Sequence, residues 1–200
     1  MALPGVVIHI TDELQPEISI QRAVEGLGLS YLAFYGIRDA LRAVAHTHDE
    51  GRLVALVTDL SLRPPGHLHG RDEMVGVDLV RWLKGSDRVR TRFYDCLLYD
   101  LIQALASSTA ASAERENARH AWLDFSRLLL SCEQRRSSGD GTAPVLDAPI
   151  VVFSEHANDP RVVEDLSGIG GVVLVPKSEG PEAVARVLRA LPGTATAPRE

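Results

Sequence analysis

Short apolar runs alternate with segments of helical periodicity along most of this chain of 200 residues. The runs predict five strands at 6–10, 31–36, 53–58, 149–154 and 172–177. Helical patterns at 18–28, 37–51, 76–84, 160–170 and 181–191 follow them in turn. Strands that alternate with helices are typical of βαβ units, in which neighbouring strands run parallel and helices cover both faces of the sheet. The sequence therefore predicts an α/β fold with a doubly wound, five-stranded parallel sheet.

The alternation breaks in the middle of the chain, where residues 90–136 have only helical periodicity. Apolar residues recur there at steps of three or four, as on the buried face of a helix. They are Phe93, Leu97, Leu101 and Leu105, then Ala118, Trp122, Phe125, Leu129 and Cys132. We predict a helical hairpin with a bend at 107–109, followed by a polar linker at 137–148. The hairpin is predicted to be an insertion in a single domain of residues 1–192, with a disordered tail at 193–200.

The composition excludes several classes of protein. Hydrophobic residues make up 45% and charged residues 24% of the chain, as in soluble globular proteins. The net charge of -6 argues against a nucleic-acid or anionic membrane partner. No apolar run approaches the ~20 residues that span a bilayer. Cys96 and Cys132 have neither metal-site nor disulfide spacing, so we predict a cytoplasmic protein.

Polar residues follow four of the predicted strands at the point where each strand ends. They are Asp12 and Glu13, Asp59, Ser154 and Lys177. Because the carboxyl ends of parallel strands meet in one crevice, we expect these side chains to lie close together. Clustered carboxylates favour a hard cation such as Mg²⁺, and an aspartate beside it can be a nucleophile towards a phosphoryl group. A lysine and a hydroxyl can bind the phosphoryl oxygens.

Each of these residues alone also fits a structural role. Asp59 could stabilise a turn, Ser154 could cap a helix, and Lys177 could be a solvated residue before a cap. His67 and His69 have the spacing of two metal ligands, but a third ligand is not evident, which favours ordinary loop histidines.

The strand-end residues and their surroundings resemble the receiver domain of response regulators in two-component signalling. "TDE" (11–13) is similar to the acidic pair of the family, and "VTDLSLRP" (57–64) to its phosphoacceptor strand and loop. "GVDLVRWLK" resembles the third helix, "PIVVFSE" the fourth strand, and "VLVPKSE" the fifth strand with its lysine. The resemblance covers residues 6–83 and 149–191 and leaves the helical insertion unmatched.

The resemblance implies a flavodoxin-like strand order of 2-1-3-4-5 and a phosphoryl group accepted on Asp59. It implies that Ser154 and Lys177 bind that group. It also implies Mg²⁺ held by Asp12, Glu13, Asp59 and the carbonyl of Ser61. The phosphoryl group would come from a sensor histidine kinase or a phosphotransfer protein in a phosphorelay. Enzymatic activity would be limited to Mg²⁺-dependent self-phosphorylation and slow autodephosphorylation, and a stand-alone receiver would signal by contacts with a target protein.

The chain departs from the family pattern at three places. The first strand allows either Thr11 and Asp12 or Asp12 and Glu13 to form the acidic pair, and the spacing to Gly28 favours the former. Glu155 follows Ser154 where the family has a small residue. Leu174 stands where many receivers carry a switch aromatic, so that rotation of an aromatic ring cannot be the readout in this chain.

Two other functions and one assembly follow from these observations. A receiver-like scaffold that never takes phosphate is the alternative function. A hydrolase of the aspartyl-phosphate type is disfavoured, because Ser61 stands where such enzymes have a second aspartate. The apolar stripes of residues 90–136 need a third surface, which is either the helices covering the sheet or a second copy of the chain. We predict a homodimer through this segment.

Overall fold

The computed structural model describes residues 4–11, 18–62, 75–85 and 146–191, with short pieces between 106 and 127. Its five strands are β1 Val6–Ile10, β2 Ser30–Phe34, β3 Leu53–Thr58, β4 Ile150–Ser154 and β5 Val172–Pro176. All strand pairs are parallel, and the order is β2-β1-β3-β4-β5. The predicted α/β class and the order of the sheet are confirmed, and this order is that of flavodoxin-like folds.

Helices cover both faces of the sheet. They are α1 Ile18–Glu25, α2 Ile37–Asp49, α3 Val75–Leu83, α4 Pro160–Leu166 and α5 Pro181–Ala190. Helices α1 and α5 pack on one face, and α2, α3 and α4 pack on the other. Short 3-10 turns, Glu155–Asn158 and Lys177–Glu179, follow β4 and β5. Because both faces are covered, the central strands β1 and β4 are buried along their whole length, which explains their continuous apolar runs.

The predicted ends of the strands and helices differ from the structure by a few residues. The predicted buried face of one helix, α1, is also wrong. The helical pattern at 18–28 predicts an apolar face with Ile18, Ala23, Val24 and Leu27. The structure leaves Ile18 59% exposed and buries Ile20 and Val24. At 100° per residue, Ile18 lies about 200° around the helix from Ile20, so the two cannot share the buried face. Helix α4 ends at Leu166, before the predicted end at 170, and Ser167 caps it.

The described part of the inserted segment is helical. Every residue that the structure describes between 106 and 127 has helical conformation. Trp122 packs against the core cluster between the sheet and helices α2, α3 and α4. The bend at 107–109, the rest of 90–136, the linker up to residue 145, Cys96, Cys132 and the tail at 193–200 lie outside the described residues. The hairpin and the single domain of 1–192 stay predictions.

The two ends of the segment 86–145 are held together at a neck formed by Lys84, Gly85 and Leu146–Ala148. The backbone N–H of Leu146 donates to the carbonyl of Leu83 at 2.9 Å. The ammonium of Lys84 donates to the carbonyl oxygens of Leu146 at 3.1 Å and Ala148 at 2.9 Å. Burial lowers the pKa of Lys84, although the negative charge of Asp147 raises it in part. The segment therefore leaves and rejoins the sheet domain at one point, between α3 and β4.

No helix among the described residues is long and apolar enough to cross a membrane.

Candidate functional site

Three of the predicted site residues converge at the carboxyl edge of the sheet. Asp59 follows β3 directly and is 4% exposed, and Ser154 ends β4 and is fully buried. Lys177 follows β5, whose last residue, Pro176, pairs with Ser154. Since β3, β4 and β5 are neighbours in the sheet, their ends bring one carboxylate, one hydroxyl and one ammonium into the same crevice.

The two oxygens of the Asp59 carboxylate have different partners. Oδ2 lies 2.8 Å from the Nζ of Lys177, and both side chains are largely buried. Oδ1 accepts hydrogen bonds from the backbone N–H groups of Leu60 at 2.6 Å and Ser61 at 3.2 Å. The turn after β3 therefore holds Oδ1 against the backbone and directs Oδ2 towards Lys177.

The balance of burial and hydrogen bonding keeps Asp59 ionised. Burial raises the pKa of the carboxyl, but the hydrogen bonds from Lys177 and Ser154, the charge of Lys177 and the N–H of Ser61 together outweigh it. The pKa of Asp59 is thus lowered from its ordinary value. The group at the centre of the site is a buried carboxylate that stays charged at neutral pH, as a nucleophile requires.

Ser154 links this carboxylate to the loop that follows β4. Its hydroxyl is close enough to Asp59 to help lower the pKa of that carboxyl, and its Oγ accepts the backbone N–H of His156 at 3.3 Å. The structural role that the sequence allowed, a cap on the following turn, is therefore present together with the contact to Asp59. Glu155, the next residue, is exposed.

Two residues that the sequence did not single out as site residues fix the backbone of Asp59. The hydroxyl of Thr58 donates to the carbonyl of Asp59 at 2.9 Å. In α3, the N–H of Gly76 donates to the carbonyl of Leu60 at 3.0 Å. A Cβ atom at Gly76 would clash with the carbonyl oxygen of Asp59 and lie 2.5 Å from the Cα of Leu60. Helix α3 therefore requires glycine here, and the only signal in the sequence was a glycine at the predicted start of a helix.

The register of β1 places Thr11 beside Asp59. Ile10 pairs with Thr58, so the next residue of each strand, Thr11 and Asp59, are neighbours at the strand ends. The N–H of Asp59 donates to the carbonyl of Ile10 at 3.0 Å, and Thr11 is buried. This register agrees with Thr11 and Asp12 as the pair. Asp12 and Glu13, like His67 and His69, lie outside the described residues.

The donor set is compatible with Mg²⁺. This ion takes oxygen ligands and is commonly held by one or two carboxylates, keeping several waters. Asp59 would supply one carboxylate and, by the resemblance, Ser61 would supply a carbonyl, and Asp12 follows Thr11 directly in the chain. Among the described residues alone, no group of three His, Cys, Asp or Glu side chains could hold a metal. A metal site here therefore depends on the acidic residues that follow β1.

The lowered pKa of Asp59 predicts an acid-sensitive contribution to stability. A carboxyl with a lower pKa in the folded state stabilises the fold above its unfolded pKa of about 3.9, and this contribution is lost as the pH falls through the folded pKa. The free energy of unfolding of the wild type should therefore fall more steeply between pH 5 and 2 than that of Asp59→Asn. Urea unfolding of both proteins across this range measures the difference, and parallel curves would contradict the pKa shift.

Comparisons of the chain with protein-family models, with curated proteins and with solved structures found no match. The fold and the site define the class of protein as a flavodoxin-like α/β domain with a buried aspartate–lysine pair at the carboxyl edge of the sheet.

Proposed function

We propose that this chain is a stand-alone response-regulator receiver that accepts a phosphoryl group on Asp59. The observation that carries the proposal is the buried contact of 2.8 Å between Asp59 Oδ2 and Lys177 Nζ, beside the hydroxyl of Ser154. An ionised nucleophile thus lies next to a cation and a hydroxyl that can bind phosphoryl oxygens. The donor would be a phosphohistidine of a sensor kinase or a phosphotransfer protein, and the output would be a contact with a target protein.

The transfer would be a direct displacement at phosphorus. Oδ2 of Asp59 forms the new O–P bond, since Oδ1 is held by two backbone N–H groups. The P–N bond of the phosphohistidine breaks, and the leaving imidazole keeps the electron pair. Lys177 and Ser154 then bind oxygens of the new acyl phosphate. This arrangement stabilises the charge on the equatorial oxygens in the transition state.

Mg²⁺ would be held by Asp59, the carbonyl of Ser61 and Asp12. The register of β1 supports Thr11 and Asp12, rather than Asp12 and Glu13, as the pair beside Asp59. When bound, the ion would neutralise charge on the phosphoryl oxygens.

A phosphorylation-independent scaffold is the second candidate, and two observations favour it. Thr11 lies beside Asp59, where a receiver would have an acidic residue. The carboxylate of Asp59 already has Lys177, Ser154 and two backbone N–H groups as partners, so its charge is compensated without phosphate or metal. In this case the buried ion pair would only stabilise the sheet edge.

Phosphorylation distinguishes the two candidates. Incubation with acetyl phosphate and Mg²⁺ should add one phosphoryl group to the wild type and to Asp49→Asn, a control at an exposed aspartate of α2. Asp59→Asn should take none, because the amide cannot attack phosphorus. Intact-mass spectrometry measures the adduct, and the same adduct on Asp59→Asn would rule out Asp59 as the acceptor.

Beryllofluoride, which mimics a phosphoryl group on a carboxylate, tests the site without a donor. With Mg²⁺ it should raise the melting temperature of the wild type and leave that of Asp59→Asn unchanged. The absence of a shift in both proteins would favour the scaffold.

A further inference from the structure

We propose that helix α3 couples the state of Asp59 to the inserted segment, and that this segment is the output element of the chain. The inference deepens the proposed function, because it names the part of the chain that would report phosphorylation. It depends on three contacts that connect the site, α3 and the segment in sequence.

The first contact joins the site to the start of α3. The N–H of Gly76 donates to the carbonyl of Leu60, and the backbones of Asp59, Leu60 and Gly76 approach too closely to accommodate a Cβ atom. Leu60 also donates its own N–H to Oδ1 of Asp59. A change of the Asp59 carboxylate that moves Leu60 must therefore move the first turn of α3.

The helix itself is suited to transmit such a displacement. Seven of its nine residues are buried, Val75, Gly76, Val77, Leu79, Val80, Trp82 and Leu83. Packed interiors do not deform gradually, so a shift at one end of a short buried helix is carried to the other end.

The second contact lies at the other end of α3, at the neck. Lys84 follows the helix directly and donates to the carbonyls of Leu146 and Ala148, while the carbonyl of Leu83 accepts the N–H of Leu146. The end of α3 thus holds both the start and the return of the segment 86–145. A shift of α3 changes the position of this neck.

The third contact is between the segment and the core cluster to which α3 contributes. Trp122 packs against the cluster that contains Val77, Val80 and Leu83 of α3. The segment therefore packs on the core to which α3 contributes, in addition to its covalent connection at the neck. Coupling through α3 is also consistent with Leu174 in β5. This residue stands where many receivers have a switch aromatic, and it has no ring that could report the state of the site.

The test perturbs α3 at the site end and measures the segment. Gly76→Ala forces α3 away from Leu60, whereas Gly168→Ala is the matched control, because a Cβ atom there meets nothing within 4 Å. Hydrogen exchange of peptides covering 112–127 should be faster in Gly76→Ala by about twofold to thirtyfold, which corresponds to coupling of about 0.5–2 kcal/mol. Gly168→Ala should match the wild type.

A second pair of variants tests the coupling in the opposite direction, by changing the neck and measuring the site. Coupling between two sites is reciprocal, so an effect is expected in this direction too. Lys84→Met removes the two ammonium hydrogen bonds of the neck, while Arg81→Met removes only the ion pair of α3 with Asp165 of α4. Exchange of the Leu60 and Ser61 amides should change in Lys84→Met and stay unchanged in Arg81→Met. This pair decides the question if Gly76→Ala does not fold.

Neither measurement uses phosphate, so the coupling and the proposed function can fail separately. A changed exchange in both directions would support the coupling even if Asp59 took no phosphoryl group. Unchanged exchange at Leu60 and Ser61 in Lys84→Met, or equal effects of Lys84→Met and Arg81→Met, would overturn it even if phosphorylation succeeded.

Discussion

Lys177→Met is expected to lower the free energy of unfolding at pH 7 by about 3–5 kcal/mol, the range for removing one partner of a buried ion pair. The side chains of Asp59 and Lys177 are only 6% and 16% exposed, so water cannot replace the lost ammonium. Burial would then act on the Asp59 carboxyl with less compensation, and its pKa should rise. Urea unfolding measures the stability, and carbon-detected NMR titration measures the pKa of Asp59.

The double variant Asp59→Asn/Lys177→Met is the control for this prediction. It removes both charges, so it should recover much of the stability lost in Lys177→Met, as neutral replacements of buried pairs often do. If the acidic residues after β1 share the crevice, Mg²⁺ should also stabilise Lys177→Met more than the wild type. A loss below about 1 kcal/mol, as for an exposed pair, would show that the contact is solvated in solution.

Replacing residues 90–136 by a short Gly/Ser linker is expected to leave a folded, monomeric sheet domain. The neck brings the ends of the segment 86–145 together, since Leu83 and Leu146 share a backbone hydrogen bond of 2.9 Å. A short linker that joins these ends loses little conformational entropy on closing the loop, and the shortened chain keeps all five strands. Circular dichroism and sedimentation velocity of the shortened and full-length chains measure the folding and the oligomeric state.

The full-length protein decides whether the segment forms the predicted homodimer. Trp122 already packs on the core of its own chain, so at least this residue of the stripes has a partner without a second copy. A full-length dimer that becomes a monomer after the replacement would support the homodimer. A full-length monomer at tens of micromolar would refute it and make the segment an intramolecular element. Failure of the shortened chain to fold would show that the sheet domain depends on the segment.

The fold class could be predicted from the sequence because hydrophobic periodicity reports burial directly. Strands covered on both faces need continuous apolar runs, and 53–58 was predicted with the bounds that the structure gives β3. Helical spacing also places Ile37 and Leu41 on one face of α2, and Val77 and Val80 on one face of α3. The structure buries all four side chains. The predicted burial of Ile18 was wrong, because the apolar residues of a short helix are compatible with more than one buried face.

The meeting of Asp59, Ser154 and Lys177 could also be predicted, for a topological reason. In a parallel sheet all carboxyl ends lie on one edge, so residues distant in sequence meet if they follow adjacent strands. One further signal was available in the composition. Lysine occurs only at Lys84 and Lys177, while the other 19 of the 21 basic residues are arginine, and both lysines make buried contacts.

The sequence by itself determined the alternation of strands and helices and the set of polar residues at the strand ends, because both depend on local patterns of burial. Only the tertiary structure decided that Thr11 lies beside Asp59, that Gly76 approaches Leu60, and that Lys84 holds Leu146. These contacts depend on strand register and on how close two backbones come. Neither quantity has a local signature, because register and close approach arise only when distant segments of the chain pack against each other.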